Sequence, residues 1–155
     1  MKMSVKYRQF EPSDSEVVTQ LIQSLYLEDP GGLTMTPQKI QNTFESFAKH
    51  PDRGSIMVLE YDTEVIGYAI LVNFWNNEFG GNITNIDELY IKKEFRSQGI
   101  GTNFIKFLSK HKPHNSVALQ LEVSPQNKKA QKLYKSLGFR LHENATYDLM
   151  FEPDE

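Results

Sequence analysis

The sequence predicts one mixed α+β domain over residues 1–155. Runs of alternating apolar residues, runs with apolar positions recurring at three and four, and the interleaving of the two kinds along the chain all point to it. A chain of 155 residues is large enough to bury a core without staples, and nine Gly with seven Pro are too few for a disordered segment.

Each element has its own signal. Ser4 to Phe10 alternates Val5, Tyr7 and Phe10 with charged residues, and Glu11-Pro12-Ser13-Asp14 turns the chain. From Ser13 the positions Val17, Val18, Leu21, Ile22, Leu25 and Tyr26 predict a helix that Asp29-Pro30-Gly31-Gly32 breaks. Thr36-Pro37 opens a second helix carrying Ile40, Phe44 and Phe47 on one face, closing near His50-Pro51. Ser55 to Tyr61 and Val65 to Phe74 read as a hairpin across Asp62-Thr63. A loop from Trp75 to Asn82 and a strand from Ile83 to Ile91 come next. Trp75 and Phe79 either wall a pocket or cap the sheet edge. Beyond a glycine-rich turn come a helix to about Lys110, a strand from Val117 to Val123, a helix from about Gln126 to Leu137, and two closing strands at Phe139–His142 and Thr146–Phe151.

Composition excludes several classes. No cysteine means no disulfide, thiolate metal site or cysteine nucleophile, and His111 and His114 lack partner ligands, so no metal is expected. No run approaches a membrane span or a signal peptide, and a cytoplasmic protein with no membrane partner is expected. Between Lys92 and Lys135 ten Lys or Arg face two acidic residues, a local +8 in a chain of net −3. Such asymmetry favours an anionic ligand on that part, or is simply a solvated lysine face. Without an interleaved basic and aromatic stripe, nucleic acid is not expected.

The most informative stretch is Ile86 to Thr102, a strand running into Arg96-Ser97-Gln98-Gly99-Ile100-Gly101 and then a helix. Its geometry aims backbone N–H groups at an oligophosphate. A dinucleotide fingerprint would need a third glycine where Phe104 stands, and a P-loop would need Gly-Lys-Ser or Gly-Lys-Thr. A diphosphate held from about Gln98 to Thr102, with charge from Arg96, remains.

Asp-Glu-Leu-Tyr-Ile at 87–91, the Arg-x-x-Gly-x-Gly turn, and Asn127 with Tyr134 ahead of Leu137-Gly138-Phe139 resemble the GNAT superfamily of acetyl-coenzyme A-dependent N-acetyltransferases, with some likeness to its diamine branch. The resemblance covers nearly the whole chain. It implies a mixed, mostly antiparallel sheet of about seven strands flanked by about four helices. It further implies that Ile83–Ile91 splays from Val117–Val123, that Leu89, Tyr90 and Ile91 hold the pantetheine arm, and that Ser97, Gln98, Gly99, Ile100, Gly101 and Thr102 hold the pyrophosphate. Asn127 matches a residue bonded to the cofactor arm, and by position alone it reads equally as a helix N-cap. Tyr134 matches the acid that protonates the departing thiolate, and by pattern alone it is one more aromatic on an apolar stripe.

The implied reaction is attack of a neutral primary amine on an acetyl thioester. A general base must first deprotonate the ammonium, and Asp87 and Glu88 offer carboxylates with opposite side-chain directions. Glu88 is taken as the base, and the Ile91 N–H as the oxyanion donor. Glu28, Asp29 and Glu78, with Trp75, suit a cationic acceptor such as a polyamine, an aminoglycoside or a lysine or N-terminal amine, or else the carboxylates keep the protein soluble. Members of the family are often homodimers. A non-catalytic acyl-coenzyme A-binding or partner-binding module with the same fold is the alternative function.

Overall fold

Arg8 ties the first strand to the start of the first helix. Its guanidinium donates to both carboxylate oxygens of Asp14 (2.8 and 2.9 Å) and to Glu60 (2.9 Å). Asp14 is 6% exposed and also accepts the Glu11 N–H, closing the turn Pro12–Asp14 into a helix. The Arg8 charge compensates a carboxylate that would otherwise be costly to bury, and it holds the Asp14 carboxyl below its usual range.

A computed structural model describes residues 3–152. The chain divides into two compact units, Met1–Glu122 and Val123–Glu155. In the first, the order is β1 (Lys6–Gln9), α1 (Ser15–Glu28), α2 (Pro37–Lys49), β2 (Gly54–Tyr61), β3 (Glu64–Asn76), β4 (Gly81–Ile91), α3 (Ile100–His111) and β5 (Ala118–Leu121). The second contains α4 (Lys128–Ser136). Thr36 caps α2 by accepting from the Lys39 N–H, with Pro37 at the first helical position.

The strands form one sheet in the order β1-β2-β3-β4-β5, antiparallel throughout except for the parallel β4–β5 pair. One face carries Ile56, Val58, Tyr68, Ile70 and Tyr90 against Val18, Leu21 and Ile22 of α1 and Ile40 and Phe44 of α2. On the other, Phe104 of α3 packs edge-on to Tyr7 of β1. Burial of these side chains, each contributing about 1.5–3 kcal/mol, fixes the helices to the sheet.

Two irregularities mark the second half of β4. Ile70 pairs with Glu88 while Leu71 pairs with Ile86, so Asp87 is an extra residue in a bulge. Beyond that bulge β4 leaves β5. Their ladder runs only from Ile83↔Ala118 to Ile86↔Leu121, whereas β3 stays with β4 as far as Gly67↔Ile91.

The sheet has five strands among the described residues, not the seven expected. Residues 139–142 and 146–151 form neither strand nor helix, and Leu141, Tyr147, Leu149 and Phe151 are each more than 80% exposed. Alternation alone does not make a strand; a ladder partner does, and none among the described residues pairs with these. The predicted Trp75–Asn82 loop is also shorter. Pairing continues to Asn76↔Gly81, and a tight turn closes with Asn76 accepting from the Phe79 N–H. Strand pairing overrides the polar composition there. Among the described residues no helix is long and apolar enough to cross a membrane.

Gly67 allows β3 to lie close along the end of β4. A Cβ at this position would stand 2.4 Å from the Tyr90 carbonyl oxygen. Gly67→Ala should therefore cost about 1–3 kcal/mol, read as a lower urea midpoint with an unchanged slope.

Candidate active site

From Asp87 to Ile91 the side of β4 that leaves β5 is an unpaired strand edge. The Lys92 N–H donates to the Ile66 carbonyl at 2.9 Å, so by strand alternation Tyr90 turns its peptide groups toward β3, while Leu89 and Ile91 turn theirs to the open side. Tyr90 therefore stands apart from the two residues predicted beside it.

The glycine turn abuts this edge. Ser97 (φ 62°) and Gly99 (φ 78°) are left-handed, which swings the chain from β4 into α3. Gly99 is the N-cap and has no side-chain cap bond, and the Asn103 N–H closes the first helical bond to the Gly99 carbonyl at 2.9 Å. The N–H groups of Ile100, Gly101 and Thr102 thus have no acceptor inside the helix. They point out at its positive end. A Cβ on Gly101 would lie 3.7 Å from Ile91 Cδ1 and 4.0 Å from Leu89 Cδ2, so the turn rests on the side chains of the open segment.

Arg96 was expected to bring positive charge to a phosphate. Instead its Nε donates to the Ile91 carbonyl (2.7 Å), its Nη2 to Glu28 (2.8 Å), and its guanidinium lies 5.1 Å from the centre of the Tyr90 ring. Tyr90 also donates to Glu28 (2.9 Å), and Lys93 approaches the same carboxylate at 3.9 Å. The Arg96 hydrogen bond, followed by that of Tyr90, holds the Glu28 carboxyl below its usual range against a partial desolvation. Lys92 is paired with Glu64 at 2.9 Å. Cations around the turn are thus committed to protein carboxylates, and the backbone N–H row is what the turn offers an anion. Because Arg96 caps the Ile91 carbonyl, the open groups of the edge reduce to the Leu89 N–H and C=O and the Ile91 N–H.

Glu88 projects on the α1 side of β4. It accepts from the hydroxyl of Tyr26 in α1 (2.8 Å) and from that of Tyr68 in β3 (2.7 Å), one to each carboxylate oxygen. Burial raises its pKa, and the two phenols pull it back down. Both phenols are in turn pushed up, first by burial. Asp87, at the bulge, is exposed by area, yet the surrounding protein still raises its pKa by desolvation.

The fold and the sequence of this chain have counterparts among known proteins. The sequence profile of the acetyltransferase (GNAT) family matches residues 19–139. The chain belongs to the GNAT acetyltransferase family. Among its relatives is the thialysine N-epsilon-acetyltransferase of Bos taurus, 36% identical over 75 residues, which are 48% of this chain and 44% of that protein. This chain thus spans less than half the length of that relative. An N-acetyltransferase of Archaeoglobus fulgidus is 30% identical over 95 residues, 60% of this chain and 65% of its own. In fold, the GNAT chain is similar to a possible acetyltransferase from Clostridium difficile 630 (TM-score 0.82, 19% identity, 96% of this chain and 98% of that one). It is also similar to AAC(6')-Iy in complex with the bisubstrate analog CoA-S-monomethyl-acetylneamine (TM-score 0.78, 18% identity, 96% and 99%).

Other predicted residues of this GNAT chain lie elsewhere. Trp75 is 65% exposed at the far end of the β3–β4 hairpin, roughly 23 Å along the strand from Tyr68, and Glu78 sits in the turn beyond it. They are not brought together with Glu28 and Asp29, whose neighbours are the Tyr90 end of β4. In the second unit Asn127 is an N-cap, its Oδ1 accepting from the Ala130 N–H at 3.1 Å. Its Nδ2 donor is not used by that cap. Tyr134 is half-buried on α4 in edge contact with Phe139, and burial raises its pKa. Sequence reasoning missed Tyr26, Tyr68 and the Arg96–Glu28 tie. Their one signal was a pair of adjacent carboxylates inside an apolar strand, which strict alternation could not accommodate on one face.

The Arg96–Glu28 pair is solvent-accessible, so a double-mutant cycle of Arg96→Gln and Glu28→Gln should return a coupling of about 0.2–1 kcal/mol that shrinks at high salt. Denaturation of the four proteins at two ionic strengths measures it, and additive effects would show the tie to be inert.

Proposed function

We propose that this chain is an acetyl-coenzyme A-dependent N-acetyltransferase acting on a small cationic primary amine. The observation that carries the reading is the open edge at Leu89 and Ile91 lying against the N–H row of the turn. Three backbone groups suit the amides of a pantetheine arm, and the row suits a pyrophosphate, in the order that arm and pyrophosphate take in coenzyme A. Relatives named for thialysine N-epsilon-acetylation support the amine as acceptor. Asp29 and Asp87, exposed and without an ion pair among the described residues, support its cationic character.

Ser97 to Thr102 bind the pyrophosphate through N–H groups, and Leu89 and Ile91 bind the arm. Asn127 keeps its Nδ2 for that arm by its place in the family motif. Acetyl-coenzyme A supplies the activated acyl thioester. Glu88 takes one proton from the acceptor ammonium, which leaves a nucleophilic nitrogen. As the C–N bond forms and the C–S bond breaks, Tyr134 gives its proton to sulfur and recovers one from the nitrogen, so one proton is released overall, through Glu88. The role of Tyr134 rests on the family motif.

A panel of amines including thialysine, polyamines and aminoglycosides, read by free thiol release, tests this directly. Turnover with at least one is expected, and Tyr134→Phe should lower kcat by about 10²-fold. Unchanged kcat in that variant would remove Tyr134 as the acid. Tight coenzyme A binding with no thiol release across the panel would instead favour a non-catalytic binding module. Separately, Gly101→Glu places a carboxylate in the N–H row and should abolish coenzyme A binding by calorimetry; retained affinity would place the pyrophosphate elsewhere.

A further inference from the structure

The Glu88 carboxylate is held from two elements, and the two phenols that hold it differ in kind. Tyr68 is fully buried, in β3, with its ring stacked 6.3 Å from that of Tyr90. Tyr26 is only partly buried and lies in the last turn of α1, two residues before Glu28. That turn is therefore fastened to the open half of β4 twice over. A strand carboxylate accepts from the helix tyrosine, and a helix carboxylate accepts from the strand tyrosine.

We infer that Tyr26 is a positioning residue for the base: its hydroxyl fixes the orientation of the Glu88 carboxylate and keeps it in the charged form that accepts a proton. This rests on the acetyltransfer reading. A half-buried carboxylate without charged partners would favour its neutral form, and a neutral carboxyl takes no proton. No Lys, Arg or His among the described residues offers compensation. The groups facing Glu88 are Tyr26 from α1, Tyr68 from β3 and Asp87 on its own strand, and the last of these adds repulsion. Hydrogen bonds from two neutral phenols are then what stabilises the charge. They also use one lone pair on each oxygen and leave the other free.

Each phenol lowers the Glu88 pKa, so removing the Tyr26 hydroxyl raises it and the base form is lost at a higher pH. Tyr26→Phe, which keeps the ring and its packing, is the variant to make. The acid limb of kcat/KM for the amine should move up by about one pH unit, so the loss of rate is greatest at low pH, while KM for acetyl-coenzyme A stays near its original value. A merely structural tyrosine would scale the whole profile down without moving the limb.

A second measurement does not need turnover. In protein labelled with ¹³C at the glutamate carboxyls, with the Glu88 resonance assigned through Glu88→Gln, the titration midpoint should rise in Tyr26→Phe. A stationary midpoint overturns the inference. So does a raised midpoint with a stationary acid limb, because Glu88 is then not the base that Tyr26 would position. Failure of the acetyltransfer reading has its own signature, which is no thiol release by the unaltered protein at any pH.

Discussion

Every backbone N–H and C=O removed from water needs a partner, and β4 from Asp87 onward has a strand partner on one side only. The rest of the first unit is arranged around that constraint. The bulge at Asp87 adds twist where the parallel ladder with β5 ends, and a strongly twisted strand diverges from a neighbour that does not share its twist. Arg96 caps one carbonyl of the open stretch, and the first turn of α3 rests on its side chains. An open edge is ordinarily a liability for aggregation. Here it is only a short stretch of β4, ends in a basic elbow, and adjoins helical N–H groups, features that suit a bound cofactor arm better than another strand.

The same segment is braced on its opposite face. The face of the sheet toward α1 is apolar until it reaches Glu88, where a carboxylate enters opposite Ile70 and on the same side as Tyr90. Placing it costs desolvation, which two phenol hydroxyls offset in part. Since Tyr26 belongs to α1, the helix that packs the core also presents a donor to the strand. The core contacts of Val18, Leu21 and Ile22 set the rotation of that helix, and the rotation brings Tyr26 and Glu28 onto β4. Packing and polar chemistry are linked here through helical periodicity, residues 18, 22 and 26 falling on one face.

Element types and order were legible up to residue 138, because amphipathic periods and helix caps are local and strong. Thr36-Pro37 marks the start of α2 at the residue. The closing strands were not legible, since alternation at 146–151 states a preference that only a pairing partner can realise. The candidate site was legible where it is made of backbone: a glycine pattern encodes positive φ, present at Gly99, while Gly101 has room for a Cβ against Ile91 and Leu89. It was poorly legible where it is made of side chains. Nothing local says that Arg96 turns to Glu28, or that Trp75 lies at the far end of a hairpin from the residues grouped with it.

By itself the sequence determined the order of helices and strands up to residue 138, the glycine turn after β4, and the family. Those properties are carried by short-range patterns that a linear chain displays. Tertiary structure alone decided which carboxylate of the Asp87–Glu88 pair is held by tyrosines and which bulges outward. It also decided that Glu28 and Arg96 neutralise each other, because hydrogen bonds between residues more than sixty positions apart are set by how α1 packs on β4.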